Sequence, residues 1–143
     1  MALTIGIDIG TSSTKAVVCD ETGAVKFTGG PSYSFESPKP LWAENDPKRW
    51  WDATLECLDQ VSKAVDPAEI EAIGLTGQMH GLVLLDEHGD VLRPCIQWND
   101  QRTSEECEEL TRRIGFDEVL RITGNPVLTG FTAPKILWVQ KHE

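Results

Sequence analysis

The sequence has no cluster of Lys or Arg; 13 basic residues face 23 acidic ones, for a formal net charge of −10. Such a surface repels phosphate backbones and anionic lipid, which excludes nucleic acid and the membrane surface as expected partners. No apolar run approaches the length needed to cross a bilayer, and no basic segment with an apolar core opens the chain, so the cytoplasm is the expected compartment. Cys19, Cys57, Cys95 and Cys107 are widely spaced with no Cys-x-x-Cys pair, which fits reduced, mostly buried thiols rather than a zinc site or a disulfide framework. There is no Gly-x-x-x-x-Gly-Lys-Ser/Thr, so any phosphate site is not a Walker loop. The remaining composition is that of an ordinary globular protein, and 143 residues suit one domain burying about two thirds of its unfolded surface.

Against these absences stands Ile5 to Cys19, which combines a strand, a turn of glycine and hydroxyl residues, and a second strand. Ile5, Ile7 and Ile9 alternate with Gly6, Asp8 and Gly10, and a period of two sends the isoleucines to a core face and the carboxylate to the other. Glycine weakens a strand interior, so its presence around Asp8 points to close approach of a ligand or another backbone. The turn Gly10, Thr11, Ser12, Ser13, Thr14 offers N–H groups and hydroxyls, the chemistry that holds phosphate oxygens. Magnesium binds few protein carboxylates and keeps much of its water, so Asp8 alone is sufficient for a magnesium nucleotide beside such a turn. Lys15 either completes the charge balance or is an exposed strand residue; the alternative for the whole stretch is a polar hairpin turn without a ligand. Asp8 to Lys15 resembles the first phosphate motif of the superfamily that unites sugar kinases, actin and heat-shock ATPases.

Further along, Asp20 to Gly23 reads as a turn and Ala24 to Phe27 as a third, antiparallel strand, interrupted at Gly29-Gly30-Pro31. Tyr33 to Asn45 reads as a surface loop anchored by Trp42. Asp46-Pro47 opens a helix as N-cap and first helical residue, with Trp51, Leu55, Leu58, Val61 and Val65 as its apolar face and Asp66-Pro67 as its stop. Ile70 to Thr76 reads as a buried strand reached by a crossover. The loop Gly77-Gln78-Met79-His80-Gly81 at its end lies where open α/β sheets place ligands. Gln78 and His80 can donate to and accept from sugar hydroxyls, and Met79 supplies a soft apolar wall; alternatively His80 is a structural loop histidine. Leu82 to Leu85 and Val91 to Leu92 flank a second hairpin at Asp86 to Gly89. In the stretch Cys95 to Arg102, Trp98 offers a face for the C–H side of a polyol, with Asn99 and Asp100 for its hydroxyls. Thr103 and Glu106 form a capping-box pattern for a helix that stops at Gly115. A short helix over Asp117 to Ile122 and a final one opening at Thr132 and Pro134 complete the pattern.

Five segments share one family pattern: Asp8 to Lys15; Pro40 to Glu44 with Asp46, Pro47, Trp50 and Trp51; Gly77 to Gly81; Ile96 to Arg102; and Thr123 to Asn125 with Gly130 to Lys135. In order and spacing they resemble the amino-terminal domain of the FGGY carbohydrate kinases, in the xylulokinase branch. The resemblance implies a ribonuclease H-like, actin-like ATPase domain over residues 1–143, α/β, with a mixed sheet, an antiparallel meander and flanking helices. It implies ATP and Mg2+, with D-xylulose converted to D-xylulose 5-phosphate. It assigns Asp8 to magnesium and phosphate positioning, Gly10, Thr11, Ser12, Ser13 and Lys15 to the phosphates, and Gln78, Met79, His80 and Gly81 to the sugar. Trp98, Asn99 and Asp100 would line the sugar pocket. Ketoses or polyols other than xylulose, and a non-catalytic binding module, are the competing readings.

The family's catalytic base and adenine site belong to a carboxy-terminal domain that these residues do not include. The chain therefore reads as a fragment, inactive alone, whose expected partner is that missing domain. An uncovered apolar surface implies self-association, as in a homodimer. Sedimentation of the isolated chain should show its mass rising with concentration; a monomer at every concentration counts against this.

Overall fold

The computed structural model describes residues 2–143. Among them the elements in chain order are β1 (Leu3–Ile9), β2 (Thr14–Asp20), β3 (Val25–Gly29), β4 (Glu44–Asn45) and α1 (Pro47–Ala64). There follow β5 (Ile70–Gly77), β6 (Cys95–Ile96), α2 (Ser104–Ile114), α3 (Phe116–Thr123) and α4 (Thr132–His142). The chain forms two compact units: the residues up to Phe35 with Asp46–Gln78, and Glu36–Asn45 with Met79–Glu143.

The first unit is a four-stranded sheet in the order β3-β2-β1-β5. The predicted meander is present, with β1, β2 and β3 antiparallel, and β5 runs parallel to β1, as a crossover through α1 requires. Alternation sorts the two faces. Leu3, Ile5 and Ile7 of β1 and Ala16 and Val18 of β2 pack beneath Cys57 and Val61 of α1, each large aliphatic contributing about 1.5–3 kcal/mol by leaving water. Thr4, Gly6, Asp8 and Lys15 are exposed.

Helix α1 begins as its sequence dictates: Pro47 is its first residue and the Asp46 carboxylate accepts from Lys48 N at 2.9 Å, a cap that contributes about 1 kcal/mol. Its buried face differs from the predicted one. Trp51 and Leu55 are 63% and 46% exposed, and Ala53, Cys57 and Val61 point inward instead. Small residues let a helix approach a sheet closely, and the Cys57 thiol lies 3.5 Å from the Thr14 carbonyl; an indole at that interface would hold the helix off. Leu58 and Val65 pack at the margin of the core. Strand β5 also departs from expectation, being exposed rather than buried, with Leu75 at 71%. It is an edge strand, and α1 packs chiefly over β2.

In the second unit β4 pairs with β6, Glu44 opposite Ile96 and Asn45 opposite Cys95, so the predicted loop ends in a short strand. Leu82 bridges to Ile96, and Leu82, Ile96 and Trp138 form the core. Trp42 does anchor its loop, edge-on to Trp138 at 5.4 Å. Thr103 makes no capping bond to α2; Glu106 is buried and accepts from Lys141 Nζ at 3.1 Å instead, a tertiary ion pair displacing the local cap. Gly115 (φ 94°) and Gly124 (φ 70°) end α2 and α3.

Gly30 has φ 143°, and a Cβ there would lie 2.1 Å from the Thr14 carbonyl and 2.7 Å from the Cys57 sulfur. Gly30→Ala should therefore lower unfolding free energy in urea by about 3 kcal/mol or more. Gly23→Ala, at φ 84° with nothing within 4 Å, should lose only about 1 kcal/mol.

Candidate functional site

Asp8 stands on the open face of the first unit's sheet. It lies opposite Lys15 on β2 and Thr76 on β5. Gly6 and Gly74 are paired one step away, so β1 and β5 raise no side chain at that step. These residues, with Ile7, Val17 and Leu75, line a cleft of about 470 Å³. Among the described residues no group of three or more His, Cys, Asp or Glu could hold a metal ion. One hard carboxylate facing open space is the donor set that suits a hydrated magnesium carried in on phosphates.

The adjoining turn is held from behind by Tyr33, the chain's single tyrosine. Its hydroxyl donates to the Gly10 carbonyl at 2.6 Å and lies 3.2 Å from the Thr14 hydroxyl, while its N–H donates to the Ser12 carbonyl at 2.9 Å. Burial, with a smaller contribution from the charge of Asp8, raises the Tyr33 phenol above its ordinary value, so it stays a donor. Gly10 N donates across the turn to Ser13 O at 2.9 Å, and Ser13 bridges to Ser32. The Thr11 hydroxyl donates to Gln78 Oε1 at 3.2 Å. Gln78, predicted for the sugar, is thus tied to the turn; its Nε2 is buried with no partner among the described residues. Tyr33 was missed at the sequence level, although a lone tyrosine just after Gly-Gly-Pro was a usable signal.

Met79, His80 and Gly81 open the longer segment of the second unit. Met79 is exposed. His80 has φ 61°, a left-handed conformation uncommon for a residue with a Cβ, and its imidazole meets Phe131 edge-on at 4.8 Å. It lines a largely apolar cavity of about 260 Å³ with Asn125, Phe131 and Pro134. Gly81 is packed so that a Cβ would lie 2.8 Å from the Cys95 sulfur. Trp98 is exposed, with its carbonyl against Gly130, and Asn99 Oδ1 is buried with no partner among the described residues; neither lines the His80 cavity.

Asp100 is a different kind of residue. It is buried; one oxygen accepts from Ala43 N at 2.7 Å, and both engage the Arg102 side chain at 2.7–3.1 Å. Arg102 also pairs with Glu44 at 2.8 Å and lies 3.6 Å over the Trp42 ring. A carboxylate saturated in this way builds structure and has no lone pair directed at a solute.

The comparisons with known proteins bear on the whole chain. The model of the FGGY family of carbohydrate kinases, N-terminal domain, matches residues 3–143. The chain belongs to the FGGY family of carbohydrate kinases, as its N-terminal domain. It is 43% identical to a xylulose kinase of Staphylococcus xylosus, covering all of this chain and 30% of that protein. It is 45% identical to the xylulose kinase of Escherichia coli K12, covering 97% of this chain and 28% of that one. The crystal structure of xylulose kinase from Rhodospirillum rubrum superposes with TM-score 0.93 at 35% identity, over 99% of this chain and 29% of that chain. This FGGY domain therefore spans about a third or less of the length of the curated relatives it matches, and its fold is that of the actin-like ATPases.

Within the FGGY domain one further group, at the end of the Gly130 to Lys135 segment, had no role readable in the sequence. The Lys135 side chain is buried, and its Nζ donates to the carbonyls of His80 at 2.9 Å and Gly130 at 2.7 Å. Burial lowers Lys135 to about 8 and pushes Cys95 up to about 11. From pH about 8 to 10.5 the unfolded chain holds a Lys135 proton that the folded one has released, so stability rises with pH. From about 9 to 11 the folded chain retains the Cys95 proton that the unfolded one has lost, and stability falls. Urea midpoints should therefore rise from pH about 8 to 9, hold level to about 10.5 where the two contributions cancel, and fall towards 11; Lys135→Met should abolish the rise and let the decline begin at about 9.

Proposed function

We propose that the longer protein built on this FGGY domain transfers the γ-phosphate of ATP to D-xylulose, giving D-xylulose 5-phosphate and ADP. The observation that carries the reading is the exposed Asp8 carboxylate on a glycine floor beside a braced turn of N–H and hydroxyl groups; the relatives named as xylulose kinases supply the acceptor. In this reading Asp8 holds the magnesium of the nucleotide and positions the phosphates. When bound, magnesium neutralises charge on the transferred phosphoryl group. Gly10, Thr11, Ser12 and Ser13 offer N–H and hydroxyl donors to phosphate oxygens, and Lys15, opposite Asp8, balances their charge. Tyr33 keeps the turn from collapsing when the anion leaves. Met79 and His80 contact the sugar, Gly81 lets the loop pack closely, and Gln78 fixes the phosphate turn to the loop that precedes them. Trp98 and Asn99 contribute a ring face and an amide to the sugar pocket, while Asp100 holds their segment in place.

The base that takes the proton from the attacking sugar hydroxyl comes from the remainder of the longer protein. Asp100 is unsuited to that task, since a base must reach the accepting hydroxyl. Phosphoryl transfer is mostly positioning and electrostatics, so this domain's share is to orient nucleotide and sugar, and alone it is inactive. The four unpaired thiols support a reducing compartment such as the cytoplasm. None of the described helices is long and apolar enough to cross a membrane.

ADP release by the full-length enzyme over a panel of ketoses and polyols tests the reading. Asp8→Ala should reduce kcat by about 10²–10³-fold with the sugar KM little changed. D-xylulose should give the highest kcat/KM; preference for another sugar replaces the acceptor, and full activity of Asp8→Ala removes the assigned role.

A further inference from the structure

Lys135 lies one turn into α4, and its side chain is wholly buried. Both of its hydrogen-bond acceptors are backbone carbonyls, His80 O and Gly130 O. A buried ammonium bonded to carbonyls carries a desolvation cost that a methionine of similar length would avoid. The compensating feature is what the ammonium joins. His80 O belongs to a residue in the left-handed region and also accepts from the Thr132 hydroxyl at 3.3 Å. Gly130 O belongs to the segment packed against the Trp98 carbonyl. Phe131, between Gly130 and Thr132, carries the ring against which the His80 imidazole rests. One cation thus fixes the backbone of His80 and the segment that braces its side chain. Uncommon backbone conformations persist where surrounding bonds over-determine them.

We propose that Lys135 is a positioning residue for sugar binding, setting the backbone and imidazole of His80 through paired donation to His80 O and Gly130 O, with Thr132 as its auxiliary. Lys135 itself does not touch the sugar. The inference rests on the reading of His80 as a sugar contact under the proposed function. Its consequence is selective: without the ammonium the loop relaxes from its left-handed turn, and sugar affinity falls while the nucleotide side is untouched.

The test is steady-state kinetics of the full-length kinase as Lys135→Met, His80→Ala and the double variant, with D-xylulose and ATP varied separately. Lys135→Met should raise the D-xylulose KM about tenfold or more, the scale of losing charged hydrogen bonds, with the ATP KM within about twofold. Because Lys135 acts through His80, the double variant should match His80→Ala alone rather than multiply the two effects. Should Lys135→Met fail to fold, Thr132→Val removes the second donor to the same carbonyl. It should raise the sugar KM about two- to fivefold, again without additivity to His80→Ala. A raised KM with His80→Ala beside an unchanged one in folded Lys135→Met, or multiplicative effects, overturns the positioning role alone. An unchanged sugar KM in His80→Ala overturns the sugar-contact reading and this inference with it.

Discussion

The parallel register of β1 with β5 is the constraint on which the chemistry of the first unit depends. Asp8 is level with Thr76 and Ile9 with Gly77, and Gln78 N extends the ladder by donating to Ile9 O at 2.9 Å. Two segments far apart in sequence therefore leave the sheet at the same end. One becomes the Gly10–Thr14 turn, the other runs through Gln78 toward Met79 and His80. A slip of one residue would turn Asp8 into the core beneath α1 and bring Ile7 or Ile9 to the surface, so burying the isoleucines is also what aims the carboxylate outward.

The second unit is organised by buried charge more than by a large apolar core. Arg102, almost wholly buried, joins Asp100, Glu44 and the Trp42 ring, and Arg93 reaches the same Glu44 at 2.6 Å. These bonds tie the segment around Ala43 to the segments on either side of β6. Removing one partner of such a network typically costs about 3–5 kcal/mol, because the remaining charge stays buried and uncompensated. Lys135 obeys the same economy with carbonyls in place of carboxylates, and both arrangements fix loops that regular secondary structure does not hold.

Legibility in the sequence tracked the range of the interactions. The start of α1 could be read because Asp46, Pro47 and Lys48 N are neighbours, and the Asp20 and Asp86 turns because each carboxylate bonds N–H groups two and four residues on. The inward face of α1 could not, since Trp51 and Leu55 fit the helical period as well as Ala53 and Cys57, and proximity to the sheet decided between them. The Thr103–Glu106 capping box failed for a similar reason: Lys141, 35 positions from Glu106, competed for its carboxylate. Asp100 looked like a sugar ligand because its neighbours are amides and an indole, whereas Ala43 N, 57 positions away, claims it.

The sequence by itself determined the alternation that puts Asp8 opposite a core face, the glycines that keep its surroundings bare, the hydroxyl turn and the ordered motifs of the FGGY family. These are local patterns, set by the period of a strand, the capping of a helix and the conformational freedom of glycine. Only the tertiary structure decided that Tyr33 braces the turn, that Gln78 is bonded to it, that Asp100 is enclosed by Ala43 and Arg102, and that Lys135 donates to the His80 carbonyl. Each of those roles is a hydrogen bond between residues 19 to 67 positions apart or a buried charge, and such partners are chosen by packing, which no local pattern encodes.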